Sequence, residues 1–150
     1  MVAIRLAEPG DSRRLWEWRN DALTRAVSSD QTPVPWADHE AWFARVLLDE
    51  SRDIVIAVDS ESTPIGMVRF DADEGPMATV SINLAPESRG KGLGREVLHE
   101  AIDWFRLHRP PAVLVAVVRS ENVASRKLFA GEGFAIESES EGFLTLSRAD

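Results

Sequence analysis

The run Arg89-Gly90-Lys91-Gly92-Leu93-Gly94 places three glycines at alternate positions, interleaved with two cations, and a third cation, Arg95, follows directly. Glycine is costly at the start of a helix, so three of them signal backbone that must take positive φ or come close to a neighbour. A helix opening here turns its first free N–H groups outward with the positive end of its dipole behind them, which suits phosphate oxygens. The cationic side chains add to that field. The alternative is a glycine-rich turn that only connects two elements. Two other phosphate loops are excluded. Lys91 precedes Gly92 and Gly94 with no Ser or Thr after it, so this is not the nucleotide triphosphate loop. Four expected strands precede it, whereas a dinucleotide fingerprint follows the first strand of a parallel sheet.

Charge points to the same segment. The chain of 150 residues has 17 basic and 25 acidic residues, a net charge of −8, which argues against broad binding to nucleic acid or an anionic membrane. Between Arg89 and Lys127 the balance reverses, with eight basic residues against four acidic ones. There is no Cys and no Tyr, which removes thiol nucleophiles, thiolate metal sites, disulfides and any phenolic acid or base. His99 and His108 read as helix-surface residues without a partner at metal-ligand spacing, so no metal is expected. No window approaches the ~20 apolar residues of a membrane span. A cytoplasmic protein of one domain, residues 1–150, is expected.

The elements that must position this loop follow from periodicity. Residues 2–7 alternate as a strand and end at Pro9-Gly10. A helix capped by Asp11 or Ser12 runs to about residue 25 with Leu15, Trp16, Trp18, Ala22 and Leu23 on its apolar side, a loop spans Val27 to Pro35, and a second helix starts near Asp38. Residues 54–58, 65–71 and 77–85 form an antiparallel meander. A helix starting within Gly92 to Arg95 ends before Pro110-Pro111, and residues 112–118 read as a central strand buried on both faces, completing a parallel crossover. Asn122 caps a short helix to Ala130. Phe134 to Ile136 and Phe143 to Leu146 are a last strand pair around the turn ESESEG. The fold class is α/β (α+β), a mixed sheet with flanking helices.

With these elements in place, the chain resembles the GCN5-related N-acetyltransferase (GNAT) superfamily. The family's [QR]-x-x-G-x-[GA] loop is matched by Arg89, Gly92 and Gly94, and its second signature by the run from Val117 to Phe134, with Asn122, Ser125 and Gly133-Phe134. The resemblance implies a twisted sheet whose two central parallel strands splay apart to admit acetyl-CoA. It places the pantetheine arm on the backbone of Ile82, Asn83 and Leu84. The pyrophosphate falls on the loop formed by Arg89, Gly90, Lys91, Gly92, Leu93, Gly94 and Arg95. Asn122 is then set against the pantetheine and Arg126 against the nucleotide end. Where many relatives carry a Tyr to protonate the leaving thiolate, this chain has Phe129, which cannot donate a proton. Ser125 is the substitute donor if it points inward.

An amine acceptor must lose a proton, and the developing oxyanion needs a donor. His39, Asp71, and Ser81 or Asn83 are the candidates. The segments from Trp18 to Asp21, from His39 to Trp42 and from Gly66 to Asp71 resemble the branch containing the amino-sugar nucleotide and ribosomal-protein N-terminal acetyltransferases. By that resemblance Trp18, Arg19, Asn20, Trp42 and Asp71 belong to the acceptor pocket and His39 is the base. The expected function is transfer of acetyl from acetyl-CoA to a small-molecule primary amine, an amino-sugar nucleotide first, by direct attack in a monomer or homodimer. The alternatives are a protein N-terminal or lysine acetyltransferase and a non-catalytic acetyl-CoA-binding module.

Overall fold

The structure, a computed structural model, describes residues 1–28 and 30–149. Ser29, inside the loop expected from Val27 to Pro35, lies outside the described residues, as does Asp150.

Strand β1 (Ala3–Leu6) leads through a 3-10 turn at Pro9–Asp11 into helix α1 (Ser12–Asn20). The helix expected to run on to about residue 25 stops here and a new one, α2 (Ala22–Val27), begins. The cause is Asp21: its backbone is extended (φ −56°, ψ 137°), and its carboxylate accepts from the Leu23 and Thr24 amides as the N-cap of α2. Helix α3 (Trp36–Leu48) follows Pro35 and starts two residues ahead of Asp38, since proline is well suited to a helix start. Strands β2 (Arg52–Val58), β3 (Pro64–Ala72) and β4 (Met77–Leu84) form the expected meander. Helix α4 (Leu93–His108) then carries the chain to β5 (Val113–Arg119), parallel to β4. Helix α5 (Val123–Gly131) precedes β6 (Ala135–Ser140) and β7 (Phe143–Ala149).

The seven strands lie in the order β1-β2-β3-β4-β5-β7-β6. Residues 137–140, expected in a turn, are strand; only Glu141 and Gly142, both at positive φ, make the reversal. All six residues of β6 are exposed, so no apolar alternation marks it, and its ladder with β7 alone defines it. In β5, Leu114 to Ala116 are buried as expected, but Val117 is 49% exposed because its neighbour β4 has turned away.

Helices α4 and α5 cover one face. Val97, Leu98, Ala101, Ile102, Phe105 and Phe129 pack there against Val55, Val68, Phe70, Val80, Leu114 and Leu146. Helices α1 and α3 cover the other over β2 and β3, with Leu15, Trp18, Phe43 and Val46 against Ile54 and Ile56. Each large side chain buried in this way contributes about 1.5–3 kcal/mol. Among the described residues, no helix is long and apolar enough to cross a membrane.

Asp11 secures the α1 side. It is 3% exposed, and its carboxylate accepts from both terminal nitrogens of Arg5 (2.8 and 2.9 Å), from Arg14 (2.8 Å) and from the Glu8 amide (2.8 Å). Burial opposes its charge, but these donors outweigh that and hold its pKa below the usual carboxylate value. Asp11→Ala should therefore cost about 1–3 kcal/mol, because the Glu8 amide loses its acceptor while the two arginines can still reach water. Urea denaturation checks this; a change within about 0.5 kcal/mol would show that the cluster adds nothing beyond a surface pair.

Candidate active site

The site begins where two strands separate. Strands β4 and β5 pair over only three positions, Met77 with Val113, Ala78 with Leu114 and Thr79 with Val115. Beyond them β4 stays paired to β3 and β5 to β7. The amide of Ala85 donates to Ile65 on the β3 side and that of Val113 to Pro76 on the β4 side. Strand alternation then sends the C=O of Val80 and the N–H and C=O of Ile82 and Leu84 into the gap, with those of Val117 facing them from β5. These backbone groups, half-buried to exposed at Ile82, Leu84 and Val117, have no ladder partner, so the gap can accept a ligand that carries amides and carbonyls of its own.

The glycine loop closes the end of that gap. Gly92 is the N-cap of α4 in left-handed backbone (φ 74°) with nothing within 4 Å of where a Cβ would stand, and Gly90 is similar (φ 73°). No side chain caps α4, which leaves its first-turn amides to an outside acceptor. Gly94 serves a different purpose. A Cβ there would lie in ordinary contact, 3.4 Å from Leu84 and 3.6 Å from Leu128, so the first turn of α4 is seated closely between β4 and α5. These features form a cradle for a molecule with an amide-bearing arm and a phosphate group, and coenzyme A has both. Beside Gly92, a groove of about 900 Å³ continues between α4 and Gly131 to Gly133, with Arg95 and Arg148 in its lining.

The cations of the loop are differently employed from what the motif implied. Arg89 turns away from the loop to pair with Asp21 (2.8 Å) and to donate to the Thr24 hydroxyl, joining the loop to α2. Arg95 lies along α5, 3.3 Å from the Gly131 carbonyl and 3.7 Å from Glu132, and Arg126 donates to the Ser120 carbonyl. Lys91 is exposed with no partner among the described residues.

Several expected site residues are packed or capped instead. Phe129 is 2% exposed in an edge-to-face pair with Phe134 (5.0 Å), so its ring belongs to the core and not to a cofactor surface. Asn122 accepts from the Ser125 amide (3.2 Å) and donates to the Ser125 hydroxyl (3.0 Å); both ends of its amide and the lone pair of Ser125 serve the α5 cap. Trp18 is 5% exposed in the α1–α3 core. Asn20 exchanges hydrogen bonds with the backbone of Val34 (2.7 and 2.8 Å), and Arg19 donates to the Asp30 carbonyl, so both hold the loop after α2.

His39, expected as a base, is a core residue. It is 4% exposed, stacked between Trp36 and Phe43 (5.8 Å each), and its Nε2 lies 2.9 Å from the Ser12 carbonyl, which requires that nitrogen to carry a proton and donate. Burial lowers its pKa, with the Ser12 carbonyl opposing more weakly.

What the structure does bring together is the sheet face opposite α4. Ser81 and Asn83 alternate out of β4 onto that face, opposite Arg69 and Met67 of β3, and neither side chain has a hydrogen-bond partner among the described residues. Asp71 stands beside them, accepting from Arg69 Nε at 2.9 Å, and Trp42 lies under the Arg69 guanidinium with 5.5 Å from Cζ to the ring centroid. Arg69 was not singled out by the sequence reading. The signal was its place two residues before Asp71 in an alternating strand.

The His39 placement has a consequence for stability. With a folded pKa below the unfolded value of about 6.5, the folded state takes up its proton later than the unfolded one, so its contribution is full above pH 6.5 and declines as pH falls below it. His99 has the opposite sign, because the Glu132 carboxylate raises its pKa. Comparing His39→Gln with the unaltered protein isolates the first effect: between pH 7 and 5.5 the thermal midpoint should fall less steeply in the variant. Equal slopes would mean that His39 is not held neutral by the core.

Residues 2–135 match the acetyltransferase (GNAT) domain family. An L-methionine sulfoximine/L-methionine sulfone acetyltransferase of Pseudomonas paraeruginosa is 33% identical over 148 residues, covering 92% of this chain and 83% of that protein. The L-amino acid N-acyltransferase MnaT of Escherichia coli is 32% identical, with 92% and 82% covered. Among solved structures, yncA of Salmonella typhimurium, solved with its cofactor acetyl-CoA, superposes with a TM-score of 0.79 at 23% identity, covering 99% of this chain and 94% of that one. The chain therefore belongs to the GNAT family, and it is an acetyl-CoA-dependent N-acetyltransferase.

Proposed function

We propose that the acceptor is a primary amine of the amino-acid class, acetylated by direct attack within a ternary complex. The observation that carries the transfer reading is the parting of β4 and β5 beyond Thr79 beside the uncapped start of α4. The two relatives named for amino acids or their sulfur analogues support the acceptor class, and they draw it away from the amino-sugar nucleotide expected from the Trp18 to Asp21 and Gly66 to Asp71 segments.

Bound acetyl-CoA supplies an activated thioester. The chain's residues do the rest. The gap-facing amides and carbonyls of Ile82 and Leu84 bind and align the pantetheine arm, and the amides from Gly92 to Arg95 hold the pyrophosphate. Val117, exposed at the mouth of the gap, offers apolar surface to the arm. The amine nitrogen bonds to the acetyl carbon as the carbon–sulfur bond breaks; the nitrogen loses a proton and the sulfur leaves as thiolate or gains one through water. A thiolate is a good leaving group without a phenol beside it, because the thiol's pKa is only moderately high, consistent with the absence of Tyr. With no Cys in the chain, no acetyl-cysteine can form. Ser81 and Asn83, unpartnered on the acceptor face, are placed to orient the amine and to hold the water that takes its proton.

CoA-thiol release with a panel of amines tests this reading. The panel holds L-methionine sulfone, other L-amino acids, spermidine, an amino-sugar nucleotide and a lysine peptide. The amino acids should give the highest kcat/KM, by at least about tenfold, with no lag or burst from a covalent intermediate. Preference for the sugar nucleotide or the peptide would overturn the acceptor class. Acetyl-CoA binding without release of thiol to any amine would favour a non-catalytic binding module.

A further inference from the structure

On the acceptor face, one guanidinium is held in place with its outer end unused. Arg69 Nε donates to Asp71 Oδ2 at 2.9 Å, and the Trp42 ring lies 5.5 Å from its Cζ, so one edge and one side of the group are fixed. Its two terminal nitrogens have no protein acceptor among the described residues, and the side chain is 33% exposed. Arg69 ends a chain of alternating charge. Asp49 lies 3.6 Å from Arg52, Arg52 lies 3.7 Å from Asp71 Oδ1, and Asp71 holds Arg69. Asp71 Oδ1 is buried without a hydrogen bond, and the carboxylate lies between the two arginines.

We propose that Arg69 is the specificity-determining residue of the acceptor site, its free N–H fork holding the carboxylate of the amino-acid acceptor. This rests on the amino-acid reading of the acceptor given above. A planar two-oxygen anion matches the fork in a paired, charge-assisted geometry that an ammonium group at the same point cannot reproduce. The register supports the placement: Arg69 is directly opposite Ser81, and adjacent strands are about 4.8 Å apart, so an amine a few bonds from a carboxylate held here lies within reach of the open edge of β4. Asp71 and Trp42 are positioning residues. They fix the plane of the guanidinium before the acceptor arrives and so reduce the ordering that binding requires.

The test pairs each acceptor with a version lacking the anion, in the unaltered protein, Arg69→Lys and Arg69→Gln. The probes are L-methionine sulfone against its carboxamide, and glucosamine 6-phosphate against glucosamine, with CoA-thiol release as the readout. The unaltered protein should prefer the acid to the amide by about 100-fold or more in kcat/KM, the range of a charge-assisted pair. In Arg69→Gln the preference should collapse to within about threefold, with the KM for acetyl-CoA unchanged, and Arg69→Lys should retain part of it. A general structural disturbance would lower acid and amide together and leave their ratio intact, which would overturn the proposal. So would an amide as good as the acid in the unaltered protein. An Arg69-dependent preference confined to the phosphate pair overturns the carboxylate and assigns the fork to phosphate. Turnover of the sulfone with an unaltered ratio in Arg69→Gln overturns this inference alone. No turnover of any probe by protein that binds acetyl-CoA overturns the amino-acid reading and this inference with it.

Discussion

Strands β4 and β5 run side by side for three paired residues and then separate, and the open backbone edges of Ile82, Leu84 and Val117 set the terms for everything around them. A parallel sheet that opens in its middle loses ladder hydrogen bonds, and the remainder of the molecule has to hold the gap at a constant width. On one face α4 does this. Its first turn is seated at Gly94 against Leu84 and Leu128, while Val97, Leu98, Ala101 and Ile102 anchor the same helix deep in the core. The uncapped amides of α4 are therefore rigidly placed at the end of the gap.

The opposite face is held by polar ties across long sequence distances. Arg89 joins the glycine loop to Asp21 and Thr24 of α2, and Arg119 at the end of β5 donates to the Ser28 carbonyl (2.7 Å). Asn20 fastens the following loop at Val34, and Asp11 fixes the start of α1 to Arg5 of β1. Helix α2 contributes no buried residue, so these contacts rather than apolar packing determine where it lies. The same arginine that the motif marks as a phosphate ligand thus connects the glycine loop to α2.

What could be read from the sequence was local. Three glycines between a strand and a helix announced the loop, and alternation located the meander and the crossover, because these depend on residues a few positions apart. His39 shows the limit of such reading. Trp36, His39, Phe43 and Val46 share one face of α3, and a site histidine and a core histidine produce the same helical stripe; only the Ser12 carbonyl, 27 residues away, distinguishes them. The pairing of Arg89 with Asp21 spans 68 residues and leaves no local trace. Arg69 was legible in principle, since β3 puts Met67, Arg69 and Asp71 on one face, but the free end of its guanidinium could be seen only with its partners in place.

In the proposed complex the gap between β4 and β5 receives the coenzyme arm and the first turn of α4 its pyrophosphate. Titration of acetyl-CoA into nitrogen-15-labelled protein, with amide shifts and hydrogen exchange recorded together, tests this placement. The largest shifts should fall at Ile82, Leu84, Val117 and Gly92 to Arg95, with slowed exchange at Ile82 and Leu84 as their amides gain an acceptor. Unchanged exchange at those two residues, with the shifts concentrated on α3 or the β6–β7 edge, would contradict it.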